Sequence, residues 1–306
     1  MTSARRILPL VLAAVLSALP ATAASYFYAI GSNNHLYEVS DSGAQRDIRD
    51  LSGLGAAGLV NGAAFDRAGN DFFFSVPGPG SVGGLWYWNQ QTNASPTFLG
   101  WLTTVKPDNA AYWDGAYWYV QQGLDILHRV EIATDGSGNP TGLGSFSSTQ
   151  LSRSQTPTNV NGNEKYFGDI AIRETSAGTA TLFGASAYGE QFFSVSLSSG
   201  PLTAGLTANV LGSPGVAKLQ LSFDSSDATL YGHAYDTGQW YTVNTATGAL
   251  TTLAFSTRTA GQSNGFQDIG GAAASATPSA GVPERGPWLA LLSVTLFSLF
   301  LVRRRR

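Results

Sequence analysis

Four side chains that carry amide or carboxylate oxygens recur at related places in a repeated pattern, and they are Asn61, Asn109, Asp169 and Asp268. The first three stand five residues before acids that mark turns, which are Asp66, Asp114 and Glu174. Such oxygens are ligands that Ca²⁺ accepts, and they can also hold sugar hydroxyls. We therefore interpret the four as a candidate metal or polar-ligand site, with calcium as the metal. The alternative is that these side chains only cap turns by bonding their own backbone.

No motif of a known catalytic class accompanies these residues. The chain has no cysteine, which excludes disulfides, thiolate catalysis and Cys-ligated zinc. The histidines His35, His128 and His233 fall on separate predicted strands without the close spacing of a zinc site. The His-Glu-x-x-His and phosphate-binding loop motifs are missing. This pattern favours a non-enzymatic role over a metal-dependent hydrolase at the Asn/Asp positions, which is the alternative.

The charge balance excludes nucleic acid as a partner. The chain has a formal net charge of −3, but seven of its 17 basic residues lie in its two terminal segments. With those segments removed, the remaining chain carries 10 basic and 19 acidic residues, a net charge of −9. Phosphate binding requires clustered lysine and arginine. Charged residues are only 12% of the chain and glycines number 36, which also argues against a helical bundle.

A repeat predicts the elements that must position the candidate residues. Each unit has a strand of small residues, an acid at a turn and two strands rich in aromatic residues. The turn acids Asp66, Asp114, Glu174 and Asp224 are separated by 48, 60 and 50 residues. Repeats of about 40–50 residues with about four short strands are typical of a β-propeller. The longest interval contains the polar segment 152–163, which we interpret as an inserted loop.

The two ends of the repeat region complete each other. Residues 26–51 supply strands that lack a first strand of small residues, whereas residues 266–272 form such a strand with none after it. Joined, they make one blade from both ends of the chain and remove an exposed sheet edge. The sequence therefore predicts an all-β, five-bladed β-propeller over residues 24–273, closed by its N- and C-terminal strands. A two-sheet β-sandwich is the alternative.

In rhythm alone, this region resembles exported propellers of the lactonase-like and NHL-like kind. Inner strands of a propeller surround a central channel, so the first residues of those strands should form a ring at one rim. Lactonase-like propellers bind a divalent metal at this place with comparable residue types. The resemblance therefore permits a metal-dependent, lactonase-like hydrolase that uses Asn61, Asn109, Asp169 and Asp268. Aromatic runs such as residues 117–119 favour packing between blades, with carbohydrate stacking as the alternative.

Residues 1–23 have the order of an export signal. Arg5 and Arg6 form a basic start, an apolar stretch follows, and Ala21 and Ala23 supply the small residues of a signal-peptidase site. We expect the mature chain to begin at Ala24. An uncleaved membrane helix is the alternative.

The C-terminal segment contains a linker, a short motif, an apolar stretch and a basic end. Residues 274–281 are rich in Ala, Ser, Gly and Pro, which is typical of a flexible linker. The apolar stretch 288–302 predicts a helix of about 22 Å, shorter than the ~30 Å hydrocarbon core of a bilayer. The motif that precedes it is Val282, Pro283, Glu284 and Arg285. The basic residues that follow and should remain cytoplasmic are Arg303, Arg304, Arg305 and Arg306.

The segment 282–306 resembles the PEP-CTERM sorting signal of bacterial proteins that exosortases process. Arg285 stands where the usual Pro-Glu-Pro motif has its second proline. The resemblance implies transient anchoring in the inner membrane, cleavage near Pro283 and Glu284, and release to the cell envelope or extracellular matrix, often beside exopolysaccharide. Its partners would be signal peptidase, an exosortase-type enzyme and exopolysaccharide or another envelope component. A plain tail anchor is the alternative.

Overall fold

The computed structural model describes residues 26–54, 58–68, 70–105, 107–121, 124–154 and 167–273. The predicted signal peptide with Ala21 and Ala23, the linker and the segment 282–306 all lie outside these ranges. No helix within the described ranges is long and apolar enough to cross a bilayer.

The described chain forms five small sheets, each built on four antiparallel strands that follow one another from the channel outwards. Blade one contains β1 (Tyr26–Gly31), β2 (His35–Ser40), β3 (Gln45–Asp50) and β21 (Phe266–Ala273). Blade two contains β4 (Asn61–Asp66), β5 (Asp71–Pro77), β6 (Val82–Asn89) and β7 (Thr97–Val105). Blade three contains β8 (Ala111–Trp113), β9 (Ala116–Gln121), β10 (Ile126–Thr134) and β11 (Pro140–Gln150).

The second half of the chain forms the remaining two blades. Blade four contains β13 (Phe167–Ser176), β14 (Thr179–Ser186), β15 (Phe192–Ser198) and β16 (Thr207–Gly212). Blade five contains β17 (Leu219–Phe223), β18 (Leu230–Ala234), β19 (Gln239–Val243) and β20 (Leu250–Ser256). Short 3-10 helices occur at Ser52–Leu54 and Pro79–Ser81.

The inner strands of the five blades surround one axis. Each inner strand contacts the next in the cyclic order β21, β4, β8, β13, β17 and back to β21. Strand β1 pairs with β21 from Tyr26 opposite Ala273 to Ile30 opposite Asp268, so the two ends of the domain build blade one together. The predicted five-bladed propeller and its mode of closure are therefore confirmed, and the β-sandwich alternative is wrong.

The core lies between the blades. Five separate clusters of buried apolar side chains each join two neighbouring blades. In β9, Tyr117 and Tyr119 pack against blade two, whereas Trp118 packs against blade four, and all three are fully buried. Successive strand residues point to opposite faces of the sheet. One aromatic run therefore fills the spaces on both sides of blade three, towards blade two and towards blade four. Burial of such large rings supplies much of the cohesion between sheets.

One expectation within the propeller is wrong. The sequence predicts a loop throughout the polar segment 152–163, but Ser152–Arg153 forms β12, which pairs in parallel with β16 at the outer edge of blade four. Arg153 is fixed there by two hydrogen bonds to Asp125, at 2.8 and 3.0 Å, and by one to Gln191. Contacts with distant residues therefore create a strand that the local pattern does not indicate. Residues 155–166 lie outside the described ranges.

Candidate functional site

The channel has two ends with different chemistry. Inner strands begin at one end, which we call the closed end, and finish in turns at the other. The four predicted side chains lie at the closed end, and they are buried: Asn61 is 4% exposed, and Asn109, Asp169 and Asp268 are 0% exposed. The structure thus places them at a common end of the channel, which is the arrangement that the repeat indicates.

Two buried carboxylates at the closed end join neighbouring blades. Asp268 accepts the N–H of Ala63 in blade two at 2.7 Å, and its other oxygen accepts the N–H of the following residue at 2.9 Å. Asp169 does the same towards blade five, since it accepts the N–H of Leu221 at 2.6 Å and that of its following residue at 2.7 Å. Each carboxylate thus ties its own inner strand to the next one around the channel.

The two asparagines have different partners. Asn109 bonds both backbone groups of Val120, accepting the N–H at 2.9 Å and donating to the carbonyl at 3.2 Å. Asn61 donates to Asp108 at 3.2 Å, across the boundary between blades two and three. Its Oδ1 is buried and has no hydrogen-bond partner among the described residues.

Further polar contacts extend these ties around the closed end. The Tyr117 hydroxyl of blade three donates to the Gly62 carbonyl of blade two at 2.5 Å. Burial first, and then the Asp268 carboxylate, raises the pKa of Tyr117 well above its usual range, so the phenol remains a donor. If the Gln220 amide of blade five is turned by 180°, its nitrogen donates to the Gln267 carbonyl at 3.1 Å and to Asp268 at 3.2 Å.

Electrostatics at the closed end favour a neutral Asp169. Burial is the largest cause of its raised pKa, and repulsion from the Asp268 carboxylate adds to it. The two N–H groups that Asp169 accepts act in the opposite direction but are weaker. A carboxyl in this position stabilises the fold most when it carries its proton.

The closed end does not fit a calcium ion. Calcium takes six to eight oxygen ligands, whereas within the described ranges Asn61 Oδ1 is the one oxygen of the four predicted side chains that lacks a hydrogen-bond partner. The described residues also contain no group of three or more His, Cys, Asp or Glu side chains that could hold a metal ion. The geometry of Asn109, Asp169 and Asp268 is that of side chains bonded to backbone.

The opposite end opens into a cavity of about 420 Å³, which we call the funnel. It is lined by the turns that follow the inner strands. Its charged lining residues are Asp66, Arg67, Asp114, Glu174 and Asp227. Its aromatic lining residues are Phe65, Tyr112, Trp113 and Phe223. The turn acids that revealed the repeat therefore include three that line the funnel.

Asp224, the fourth turn acid, does not line the funnel. Its Oδ1 accepts the N–H groups of Ser226 at 3.1 Å and Ala228 at 3.0 Å, so it closes its own turn. Asp227 of the same turn lines the funnel instead and pairs with Arg67 of blade two at 2.6 Å. Sequence reasoning missed Arg67 and Asp227, although both stand next to turn positions that the repeat marks.

The funnel has a negative lining with an aromatic wall. Four acids face one lining arginine, Arg67. Burial first, then the Asp66 and Asp71 carboxylates, raises the pKa of Tyr112, whose hydroxyl bonds Asp66. Burial also raises the pKa of Asp71 to about 6, with a smaller contribution from Asp66. These shifts show that the carboxylates at this end act on one another.

The three histidines do not form a joint site. His35 is partly exposed and bonds Asp47 at 2.7 Å on blade one. His128 stacks on Tyr119 at a centroid distance of 4.6 Å, and His233 packs against Trp240 at 4.9 Å. Burial lowers the pKa of both His128 and His233 to about 4.

No family model matches the chain, and no curated protein matches it in sequence. Several solved structures have a similar fold. A nidogen/laminin complex is 10% identical with a TM-score of 0.46, over 82% of this chain and 97% of that chain. A Bacteroides uniformis protein named for a proposed 6-phosphogluconolactonase activity is 10% identical with a TM-score of 0.41, over 75% of this chain and 66% of that chain.

An auxiliary nutrient binding protein from Bacteroides thetaiotaomicron is 12% identical with a TM-score of 0.42, over 76% of this chain and 57% of that chain. Values this low assign neither a ligand nor an activity.

Proposed function

We propose that this protein is an exported envelope or extracellular-matrix protein whose five-bladed propeller is a non-enzymatic binding module. The funnel is its ligand-binding face. The observation that carries this proposal is the contrast within the channel: the closed end is filled by side chains bonded to backbone, whereas the funnel is an open cavity of about 420 Å³. Concave sites with a few convergent polar groups are the usual places for ligands.

The funnel is suited to a ligand that carries a positive charge and an apolar face. Its lining acids outnumber its one lining arginine by four to one. Arg67 is paired with Asp227. Arg129 approaches Asp114 at 3.5 Å from outside the lining. Tyr112 and Trp113 supply aromatic surface beside these acids. A cationic amine would gain attraction from the acids and, over an aromatic face, cation–π stabilisation.

Export and sorting rest on the two terminal segments. We infer that signal peptidase removes residues 1–23, and that an exosortase-type enzyme cleaves near Pro283 and Glu284 after the apolar stretch has held the precursor in the inner membrane. Metal-dependent hydrolysis at the ring of Asn61, Asn109, Asp169 and Asp268 is not proposed, because no observation favours it.

Intact mass of the protein recovered from host envelope and medium tests the sorting. A chain from Ala24 to about Pro283 is the expected result. A chain that retains Arg303–Arg306 would instead show a permanent tail anchor and contradict the sorting proposal.

Thermal unfolding with a simple amine tests the funnel. We expect spermidine to raise the melting temperature of the mature protein, to lose this effect in high salt, and to lose much of it in Glu174→Gln. Asp236→Asn is the matched control, because Asp236 is also an exposed acid but lies outside the funnel. Equal responses of both variants and the unmodified protein would refute the funnel as the amine site.

A further inference from the structure

Blade two exposes an aromatic surface that is separate from the funnel. Phe98 and Trp101 on β7 are 39% and 51% exposed, and Trp86 on β6 lies beside them. The ring centroids of Trp86 and Phe98 are 5.3 Å apart, and those of Phe98 and Trp101 are 5.0 Å apart with an edge-to-face angle of 61°. We call these three rings the aromatic platform.

Two glycines support the most exposed ring of the platform. A methyl group added at Gly78 would lie 2.0 Å from the Trp101 ring, and one added at Gly84 would lie 2.9 Å from it. The ring therefore lies directly against the backbone, where a side chain of any size would displace it. One part of Trp101 is thus held by the fold while half of its surface faces solvent. A ring fixed in this way loses little conformational freedom on binding.

The surroundings of the platform along the chain are uncharged. No Asp, Glu, Lys or Arg occurs from Phe72 to Val105, although charged residues make up 12% of the whole chain. The polar side chains of this stretch are amides and hydroxyls, such as Gln91, Thr92 and Thr97, and all three of these are exposed. Arg49 of blade one contacts this stretch, where it donates to the carbonyl and the side-chain oxygen of Asn93 at 2.9 Å. The stretch itself offers no charge to a polyanion or a cationic peptide, whereas a neutral ligand would avoid the cost of removing charges from water.

We propose that the aromatic platform binds a neutral polysaccharide chain. Pyranose rings present flat faces of C–H groups, which are attracted to the negative face of an aromatic ring. Their hydroxyls can bond amide and hydroxyl side chains at the rim, and an apolar patch rimmed by polar residues is typical of an interaction surface. The adjacent rings at 5.0 and 5.3 Å provide consecutive contacts along one chain. This site goes beyond the proposed function of the funnel and does not depend on it.

Affinity electrophoresis of the mature protein in gels that contain mixed-linkage β-glucan, hydroxyethyl cellulose or dextran tests the proposal. We expect at least one of these neutral glycans to retard the protein, and Trp101→Ala to weaken that binding at least fivefold. Tyr188→Ala is the matched control, because Tyr188 is an exposed ring of similar accessibility, 49%, on blade four. It should bind like the unmodified protein.

Two further variants distinguish stacking on the platform from a general loss of structure and from binding in the funnel. Trp101→Phe keeps a ring and should retain more binding than Trp101→Ala at an unchanged melting temperature. Glu174→Gln should leave glycan binding unchanged, so that failure of the platform and failure of the funnel can be told apart. Equal retardation of Trp101→Ala and the unmodified protein, or no retardation by any of the three glycans, would overturn the proposal. So would light scattering that shows a dimer lost in Trp101→Ala, because the platform would then join two copies of the chain.

Discussion

The two ends of the channel use the same residue types for opposite purposes. At the closed end, Asp169 and Asp268 are fully buried and direct their oxygens to N–H groups of neighbouring blades. At the funnel, Glu174 and the other lining acids surround an open cavity. A buried carboxylate must be hydrogen-bonded or protonated, because water cannot solvate it. Burial, rather than residue type, therefore decides which acids hold the fold together and which are available to a ligand.

The largest expected effect is on the closed end. Asp268→Ala leaves two buried N–H groups without an acceptor, those of Ala63 and Ile269, and each such group costs about 1–3 kcal/mol. We expect the free energy of unfolding in urea to fall by about 3–4 kcal/mol. A loss below about 0.5 kcal/mol, the size of an ordinary surface substitution, would contradict the claim that the closed end holds the fold together.

Acid should weaken the protein through its buried histidines. His233 has a pKa near 4 in the folded protein against 6.5 for the free group, because it is buried. The unfolded chain therefore binds more protons between these values, so the contribution of His233 to stability is complete above pH 6.5 and is lost as pH falls towards 4. This loss is about 3 kcal/mol. His233→Phe should flatten the fall in urea-unfolding free energy over this window; an unchanged slope would contradict the assignment.

Asp71, whose carboxyl interacts with the funnel acid Asp66, should respond to pH in the opposite direction. Its pKa is about 6 in the folded protein against 3.8 for the free group, chiefly because of burial. The folded chain binds more protons between these values, so the contribution of Asp71 is complete below pH 3.8 and is lost as pH rises through 6. Asp71→Asn should remove this component. The unfolding free energy of the variant should therefore fall less between pH 4 and pH 7 than that of the unmodified protein. A pH dependence identical to that of the unmodified protein would show that Asp71 does not titrate in this way.

A smaller effect is expected from Tyr117→Phe. The change removes the hydrogen bond to the Gly62 carbonyl but keeps the ring that packs against blade two. A typical buried hydrogen bond contributes about 1 kcal/mol, so urea unfolding should detect a loss of about 1–2 kcal/mol. An unchanged unfolding free energy would mean that this hydrogen bond between blades two and three does not contribute to stability.

The smallest effect on stability is expected in the funnel. Glu174 is exposed, so Glu174→Gln should change the unfolding free energy by less than about 0.5 kcal/mol. Its expected consequence is a reduced thermal response to spermidine. A large loss of stability would place Glu174 among the residues that hold the fold together.

Much of the fold could be predicted because its signals are local and repeated. The turn acids mark the blades, and the incomplete patterns at residues 26–51 and 266–272 predict their union as β1 and β21. The short strand β12 could not be predicted, because Arg153 depends on Asp125 and Gln191, which are distant in sequence.

The sequence could predict where the candidate residues lie, but not which groups they bond. Asn61, Asn109, Asp169 and Asp268 do lie at one end of the channel, yet the N–H that Asp268 accepts is 205 residues away in sequence. A local sequence pattern cannot predict a contact between residues so far apart in the chain. At the funnel, the choice of Asp227 over Asp224 depends on turn geometry that the repeat does not encode.

Thermal unfolding of the mature protein with and without spermidine, in Asp268→Ala and Glu174→Gln side by side, tests the central claim most directly. We predict that Asp268→Ala melts at a lower temperature but keeps its response to spermidine, whereas Glu174→Gln melts normally and loses much of that response. A loss of response in Asp268→Ala with a normal response in Glu174→Gln would contradict the division between a structural closed end and a ligand-binding funnel.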